Sequence, residues 1–170
     1  MVIIAKVMVV VLDGGTLTIE KLVSVARGSK KVEVKGAAWK RIEKCRKMLE
    51  EKIDAHETMY GITTGIGEFS EVNLTPDQTE EFQKLLIYSH AAGIGEPMEE
   101  EIVRGAMCSR INVHSKGYSG GRREITQYLL DALEASFKLS RSSAKNLSIV
   151  SFDLDYFKKV NDDFGHIAGD

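Results

Sequence analysis

Apolar residues three or four positions apart recur along most of this chain, and their spacing limits the fold more than any other feature. An α-helix brings residues at this spacing onto one face, where they can be buried together. We therefore predict a mainly helical protein built from amphipathic helices. The pattern lies in Ile19–Ala26, Trp39–Ile53, Phe82–Leu86 and Ile125–Phe137.

Three segments depart from the helical pattern and predict strands. They are the apolar run Val2–Leu12, the short basic segment Lys31–Val34 and the apolar segment Leu147–Leu154. The almost unbroken apolar run Val2–Leu12 predicts a buried strand. A short helix, Tyr156–Phe164, is expected after the last strand. The predicted class is α+β, mainly helical, with an N-terminal strand and amphipathic helices before an incomplete βα unit.

Local signals predict several helix ends. Thr18 can cap the first helix, and Gly28 is placed to end that helix in a left-handed conformation. Thr75-Pro76-Asp77-Gln78 is a capping box with proline at the first helical position. Pro97 is expected to begin another helix, in which the acidic residues Glu99–Glu101 complement the helix dipole of the first turn.

Composition and charge argue against several classes of partner. The 170 residues carry a net charge of −2 with an isoelectric point near 6.1, so nothing favours nucleic acid or an anionic membrane. The apolar start is too short to span a bilayer. Cys45 and Cys108 lie far apart on predicted helices, and this spacing supports neither a disulfide framework nor a zinc site. We expect no nucleic acid partner, no membrane partner and a cytoplasmic location.

Two glycine-rich segments carry the residues best suited to chemistry. Tyr60–Gly67 holds three glycines and two threonines, as in loops that approach a ligand closely, and Tyr60 could act as an acid or base. Taken alone, this segment is better explained as a surface turn with a packed tyrosine. Ser89–Pro97 places His90 at a helix end beside a second glycine loop, where a capping or packing role is the plainer alternative.

Considered together, these motifs resemble a known family. Met59–Gly67 and Tyr88–Pro97, with Asp13–Gly28 before them and Lys116–Arg123 after them, resemble the N-terminal region of histidine ammonia-lyase, in the aromatic amino acid lyase family. The resemblance covers roughly residues 9–133. It implies that Tyr60 is a catalytic base, that His90 contacts the substrate, and that the substrate is L-histidine, which is deaminated to urocanate.

The electrophile of that reaction has no counterpart in the sequence. The family forms a methylidene-imidazolone cofactor from an internal Ala-Ser-Gly, and these 170 residues contain no such tripeptide. The nearest segments are Ala135-Ser136-Phe137, where phenylalanine cannot replace the glycine, and Tyr118-Ser119-Gly120, which matches another family motif. We expect the chain alone to be inactive. Two kinds of assembly are open. The chain could associate with complete lyase subunits, in which case it would act only as part of that complex, or it could form a homo-oligomer.

A second motif occupies the end of the sequence. Asp153 and Asp155 close an apolar strand before a helix, and such carboxylates can hold Mg²⁺ beside a phosphate. A bare pair of this kind is more typical of a solvated strand end. Over its full length, however, Phe152–Asp170 resembles the opening of a GGDEF domain, the diguanylate cyclase family, cut before the hairpin that would supply further ligands.

This second resemblance implies a set of GTP-binding residues. Asp153 would ligate Mg²⁺, the backbone near Tyr156 and Phe157 would contact the phosphates, and the guanine would be recognised by Asn161 and Asp170.

The two resemblances divide the chain. We assign residues 1–120 to the lyase-like region and 121–170 to the truncated GGDEF-like segment, with the boundary somewhere in 117–135. A helix from about Arg122 to Phe137 fits both families and is expected to end before a polar connector, Ser140–Asn146. The sequence thus indicates a chimeric or truncated chain.

Overall fold

The computed structural model of this protein describes residues 9–28 and 30–142, with side chains as far as Ala135. The predicted strand Leu147–Leu154 and the predicted helix Tyr156–Phe164 lie outside the described residues. Within them the chain divides into two units. The core unit comprises residues 9–51 and 96–142, and the loop unit comprises Lys52–Gly95.

The described residues form five α-helices, two short strands and one 3₁₀ helix, which confirms the predicted class. In chain order the elements are β1 (Val10–Leu12), α1 (Ile19–Ala26), β2 (Val32–Val34), α2 (Gly36–Asp54), the 3₁₀ helix (Gly67–Glu71), α3 (Pro76–His90), α4 (Glu100–Ser115) and α5 (Arg123–Ser142).

Strands β1 and β2 pair in parallel, with Val10 opposite Val32 and Leu12 opposite Val34. A parallel pair needs a crossover connection, and α1 provides it. The predicted buried strand was Val2–Leu12, and its residues 2–8 lie outside the described residues. Of the rest, only Val10–Leu12 forms a strand, in which Val10 and Leu12 are buried whereas Val11 is 45% exposed. In the described residues α4 packs against both strands, so one face of this small sheet is covered and the other remains open.

The two ends of α1 illustrate what a local signal can and cannot predict. Thr18 caps the helix as expected, since its Oγ1 accepts a hydrogen bond from Lys21 N at 3.3 Å. The left-handed ending at Gly28 is wrong, because Arg27 ends the helix in a right-handed conformation and Gly28 has no positive φ. A Cβ at Gly28 would lie 2.7 Å from the Ser24 carbonyl oxygen, so close backbone approach accounts for the glycine.

The start of α3 is confirmed in atomic detail. Thr75 Oγ1 accepts a hydrogen bond from Gln78 N at 3.3 Å, and Gln78 Oε1 accepts one from Thr75 N at 2.9 Å. Both bonds of the capping box are therefore made, with Pro76 in the first turn.

Two helix boundaries differ from the prediction. Helix α4 begins at Glu100 instead of Pro97, and its first buried side chain is Val103, so no packing stabilises an earlier turn. Helix α5 continues to Ser142, which makes the predicted connector wrong for residues 140–142. Extending a formed helix by a few polar residues costs little, because each added residue gains one hydrogen bond.

The hydrophobic core lies where α1, α4, α5 and the sheet meet. Helix α4 contacts α1, α5 and both strands in the described residues, and it is therefore the central element of the core unit. The buried residues of the core are Val10, Leu12, Val25, Val103, Met107, Cys108, Ile111 and Leu133.

Polar groups on α4 are also buried, and most of them join other elements. The Arg104 guanidinium donates to the carbonyl oxygens of Val25 at 3.1 Å and Leu133 at 3.3 Å, and burial lowers the pKa of Arg104. His114 Nδ1 lies 3.0 Å from Thr126 Oγ1. Burial, with a smaller effect of the charge on Arg110, lowers the pKa of His114. These bonds tie α1 and α5 to α4.

The two cysteines are free thiols, and Cys108 is buried. Desolvation raises the pKa of the Cys108 thiol to about 11. In the part of the chain that the structure describes, no helix combines the length and apolarity needed to cross a membrane.

Candidate active site

The glycine-rich loop Tyr60–Gly67 is an irregular turn in which threonine hydroxyls replace regular backbone pairing. Thr63 Oγ1 accepts a hydrogen bond from Met59 N at 2.8 Å and donates one to the Glu57 carbonyl oxygen, also at 2.8 Å. Short polar side chains often satisfy neighbouring backbone groups in this way. Thr63 therefore determines how the chain enters the loop.

Thr64 stabilises the interior of the loop. Its side chain is fully buried, which is unusual in the loop unit. Thr64 Oγ1 accepts a hydrogen bond from Gly61 N at 3.2 Å and donates one to the Gly65 carbonyl oxygen at 2.9 Å. Because both bonds use a single hydroxyl, this residue couples the two sides of the turn.

Glycine is required in the loop for two different reasons. Gly61 and Gly67 have φ of 67° and 59°, a left-handed conformation that most residues adopt only with strain. At Gly65 a Cβ would lie 2.5 Å from Phe69 Cβ and 2.8 Å from the Phe69 carbonyl oxygen, which is too close for any other residue.

An antiparallel bridge closes the loop against the segment that precedes α3. Thr64 lies opposite Asn73. Leu74 N donates to the Thr63 carbonyl oxygen at 2.9 Å, and Gly65 N donates to the Val72 carbonyl oxygen at 3.2 Å. The loop is thus held by hydrogen bonds on both of its sides.

Tyr60 begins the loop and points largely into solvent, with 68% of its surface exposed. Among the described residues its hydroxyl has no hydrogen-bond partner. The alternative that the Tyr60 side chain is packed is therefore wrong within the described part of the chain. A tyrosine hydroxyl left free in this way can meet a ligand.

His90 is the last residue of α3, and one of its ring nitrogens is committed to the helix. Nδ1 lies 2.8 Å from the Leu86 carbonyl oxygen and 2.9 Å from Ser89 Oγ. Since a carbonyl oxygen only accepts, Nδ1 carries the proton in the neutral ring and Nε2 keeps its lone pair. The capping role expected as the plainer alternative is real, and it leaves the exposed Nε2 available to accept a hydrogen bond.

The structure brings Tyr60 and His90 into the same unit, without a hydrogen bond between them. The loop and α3 are joined instead by Gln83, whose Nε2 donates to the Gly61 carbonyl oxygen at 3.1 Å. Sequence reasoning did not single out Gln83. One signal was available, since Gln83 precedes His90 by seven positions and so shares its helix face.

The predicted nucleotide and metal residues lie outside the described part of the chain; they are Asp153, Tyr156, Phe157, Asn161 and Asp170. Within residues 9–28 and 30–142 no group of three His, Cys, Asp or Glu side chains could hold a metal ion.

The residues present do not fit the methylidene-imidazolone cofactor. Ala135-Ser136-Phe137 belongs to the continuous helix α5, and a helical backbone with phenylalanine at the third position cannot fold onto itself to cyclise. Tyr118-Ser119-Gly120 lies in the loop between α4 and α5 and lacks the alanine.

Two family models match the sequence. The model of the aromatic amino acid lyases matches residues 17–137, and that of the diguanylate cyclase GGDEF domain matches residues 126–170. The matches overlap in 126–137, which lies within α5.

Curated relatives are histidine ammonia-lyases. The chain is 42% identical over 122 residues to the enzyme of Alkaliphilus metalliredigens (strain QYMF), a match covering 72% of this chain and 24% of the relative. It is 41% identical over 128 residues to that of Treponema denticola, covering 75% of this chain and 25% of the relative. The chain thus spans about a quarter of the length of these relatives.

Solved structures of related enzymes share the fold. Histidine ammonia-lyase from Trypanosoma cruzi superposes with a TM-score of 0.68 at 37% identity, covering 75% of this chain and 25% of that one. Tyrosine aminomutase from Streptomyces globisporus superposes with a TM-score of 0.70 at 32% identity, covering 74% of this chain and 24% of that one.

Proposed function

This chain belongs to the aromatic amino acid lyase family. We propose that its residues 1–120 supply the N-terminal part of a histidine ammonia-lyase active site, and that the chain is inactive without the rest of that site. The observation that carries this proposal is that the loop unit holds two suitable side chains. Tyr60 is exposed and its hydroxyl has no hydrogen-bond partner in the described residues, and His90 Nε2 is available to accept a hydrogen bond. The curated relatives, which are histidine ammonia-lyases, support histidine as the proposed substrate.

Each of the two residues has a distinct role in this proposal. The Tyr60 oxygen removes a β-proton of L-histidine, a step that needs a base held at the reacting carbon. His90 Nε2 accepts a hydrogen bond from an N–H group of the substrate and orients it. In the family the methylidene-imidazolone supplies the electrophile for the departing amine. Because this chain has no Ala-Ser-Gly, it should not release ammonia from histidine by itself.

The partner that completes the site is the rest of a lyase subunit. The curated relatives are about four times as long as the matched region, since that region covers 24% of their length. We propose association with complete or complementary lyase subunits in the cytoplasm. Assembly with further copies of this chain is the alternative, although it would add no electrophile.

A complementation assay tests the proposal. The chain is mixed with a histidine ammonia-lyase subunit from which the aligned N-terminal region has been deleted, and urocanate formation is followed by ultraviolet absorbance. Neither protein alone should produce urocanate, whereas the mixture should. Tyr60→Phe should lower the rate of the mixture by about 100-fold or more, and Tyr128→Phe, at an exposed tyrosine on α5, should leave it unchanged. A stable complex without activity would contradict the proposal.

The GGDEF match over residues 126–170 favours a second candidate function, Mg²⁺-dependent GTP binding. Asp153 would hold the metal ion, Tyr156 and Phe157 the phosphates, and Asn161 and Asp170 the guanine. A ligand that binds the folded state raises its stability, so a calorimetric melt with Mg-GTP should shift upward.

Two variants make the nucleotide test specific. Asp153→Ala should abolish the shift, and Asp131→Ala, at an exposed carboxylate on α5, should keep it. A melt of the parent chain that is insensitive to Mg-GTP would rule this function out.

We also propose that the two parts, 1–120 and 121–170, were joined within residues 117–135. Support comes from α5, which begins at Arg123 and runs to Ser142, and from the overlap of the two family matches inside it. A helix compatible with both families is a suitable point for such a junction. Comparison with the flanking gene sequence would test the boundary.

A further inference from the structure

One side chain connects the two elements that carry Tyr60 and His90. Gln83 Nε2 donates a hydrogen bond of 3.1 Å to the Gly61 carbonyl oxygen. Among the described residues this is the only hydrogen bond between the Tyr60–Gly67 loop and α3. The remaining hydrogen bonds of the loop run within it or to the segments that flank it.

The position of Gln83 on α3 relates this bond to His90. The two residues are seven positions apart, which is nearly two full turns, so they lie on the same face about 10 Å apart along the axis. The face of α3 that bears His90 is therefore the face that contacts the loop at Gly61.

The other end of the bond lies next to Tyr60. Gly61 follows Tyr60 directly and is held in its left-handed conformation, with its N–H bonded to Thr64 Oγ1. The side chain of Tyr60 has no hydrogen bond of its own in the described residues. Its position relative to α3 thus depends on how the backbone at Gly61 is held, and Gln83 holds that carbonyl.

We propose that Gln83 is a positioning residue that sets the distance between Tyr60 and His90 without touching the substrate. This inference rests on the proposed function for its catalytic consequence. The hydrogen bond and its effect on the loop do not depend on that function.

Kinetics in the complementation assay test the catalytic consequence. Gln83→Leu keeps the size of the side chain but removes the donor, and it should lower kcat of the complex by about 10-fold to 100-fold, because small displacements of reacting groups are costly. The concentration of partner subunit needed for half-maximal activity should not change. Gln83→Lys, which restores a donor, should recover most of kcat.

The matched control is Glu81→Leu, which introduces the same side chain at an exposed position of α3. It should leave kcat unchanged. A kcat for Gln83→Leu equal to that of the control, or a loss that Gln83→Lys does not reverse, would overturn the positioning role.

Amide hydrogen exchange on the isolated chain separates this inference from the proposed function. Gln83→Leu should accelerate exchange of the Thr64 and Gly65 amides relative to Glu81→Leu, while amides of α4 exchange as before. Equal rates in the two variants would overturn the inference even if the mixture is active. Faster exchange with a mixture that makes no urocanate would support the Gln83 contact and reject the ammonia-lyase function.

Discussion

The core unit and the loop unit are stabilised in different ways. Every buried apolar side chain of the described core cluster lies in the core unit. In the loop unit only Thr64 and Gly65 are buried, and the loop is held mainly by hydrogen bonds from two threonines. The unit that carries the candidate active site therefore contributes little hydrophobic stabilisation of its own.

Helix α3 makes this difference most visible. It has no buried residue, and Leu85, Ile87 and Tyr88 are 54%, 64% and 78% exposed. Apolar side chains usually contribute by being removed from water, so these contribute little here. The proposed association with a lyase subunit would cover these side chains.

The largest effect should come from deleting a core side chain. Ile111 is fully buried on α4, and Ile111→Ala should reduce the free energy of unfolding by about 2–5 kcal/mol through lost burial and a cavity. Ile87→Ala makes the same change on exposed α3 and should cost less than about 0.5 kcal/mol. Urea denaturation measures both. Equal losses would mean that the two units do not differ in packing as described.

Removing the buried guanidinium should have the next largest effect. Arg104→Met keeps an apolar stem but leaves the carbonyl oxygens of Val25 and Leu133 without this donor. We expect a loss of about 1–3 kcal/mol in the free energy of unfolding. Arg110→Met, at an exposed position of the same helix, should have little effect in the same denaturation experiment. The comparison fails if both variants are equally stable.

A smaller and local effect is expected in the loop unit. Thr64→Val preserves the shape of the side chain but removes the hydroxyl that joins Gly61 and Gly65. This change should lower the free energy of unfolding by about 1 kcal/mol. The Gly61 amide should then exchange faster, as followed by NMR. Thr64→Ser keeps the hydroxyl and should exchange more slowly than Thr64→Val. An unchanged Gly61 amide in Thr64→Val would show that hydrogen bonds do not hold this loop.

The smallest effect concerns pH. Burial lowers the pKa of His114 below its ordinary value of 6.5, so the unfolded chain binds a proton more readily than the folded one. The contribution of neutral His114 to the free energy of unfolding is therefore complete above about pH 6.5, and it is lost as the pH falls through the lowered pKa. Thermal melts between about pH 7.5 and pH 5.5 should show this decrease.

The matched variant for this test is His114→Asn, which does not titrate and whose amide can either donate to Thr126 Oγ1 or accept from it. It should show a weaker dependence of melting temperature on pH than the parent chain. An identical dependence would mean that other groups, and not this contact between α4 and α5, cause the change.

Features set by neighbouring residues could be predicted from the sequence. The caps at Thr18 and Thr75 depend on hydrogen bonds to residues three positions away, and both are present. The start of α4 could not be predicted in the same way. It depends on where burial begins, at Val103, and burial is decided by the elements that pack against the helix.

The candidate site shows the same division. Tyr60 and His90 were identified from sequence motifs, through the resemblance to the lyases, and their catalytic roles stay predictions. Gln83 lies seven positions before His90 on the same helix face, but its bond to Gly61 joins residues 22 positions apart, and the spacing within α3 does not predict that bond. The free Nε2 of His90 likewise became evident only from the contact of Nδ1 with Leu86.

The sequence by itself determined the helical elements, their main caps and the family, because these follow from short-range spacing and from motifs in order. Only the tertiary structure decided that Val10 pairs in parallel with Val32 and that Arg104 is buried against the end of α1. Both features join residues that are distant in the chain; Arg104 and Val25 are 79 positions apart. Such contacts form because several helices and strands remove the same residues from water together, and no single segment encodes that event.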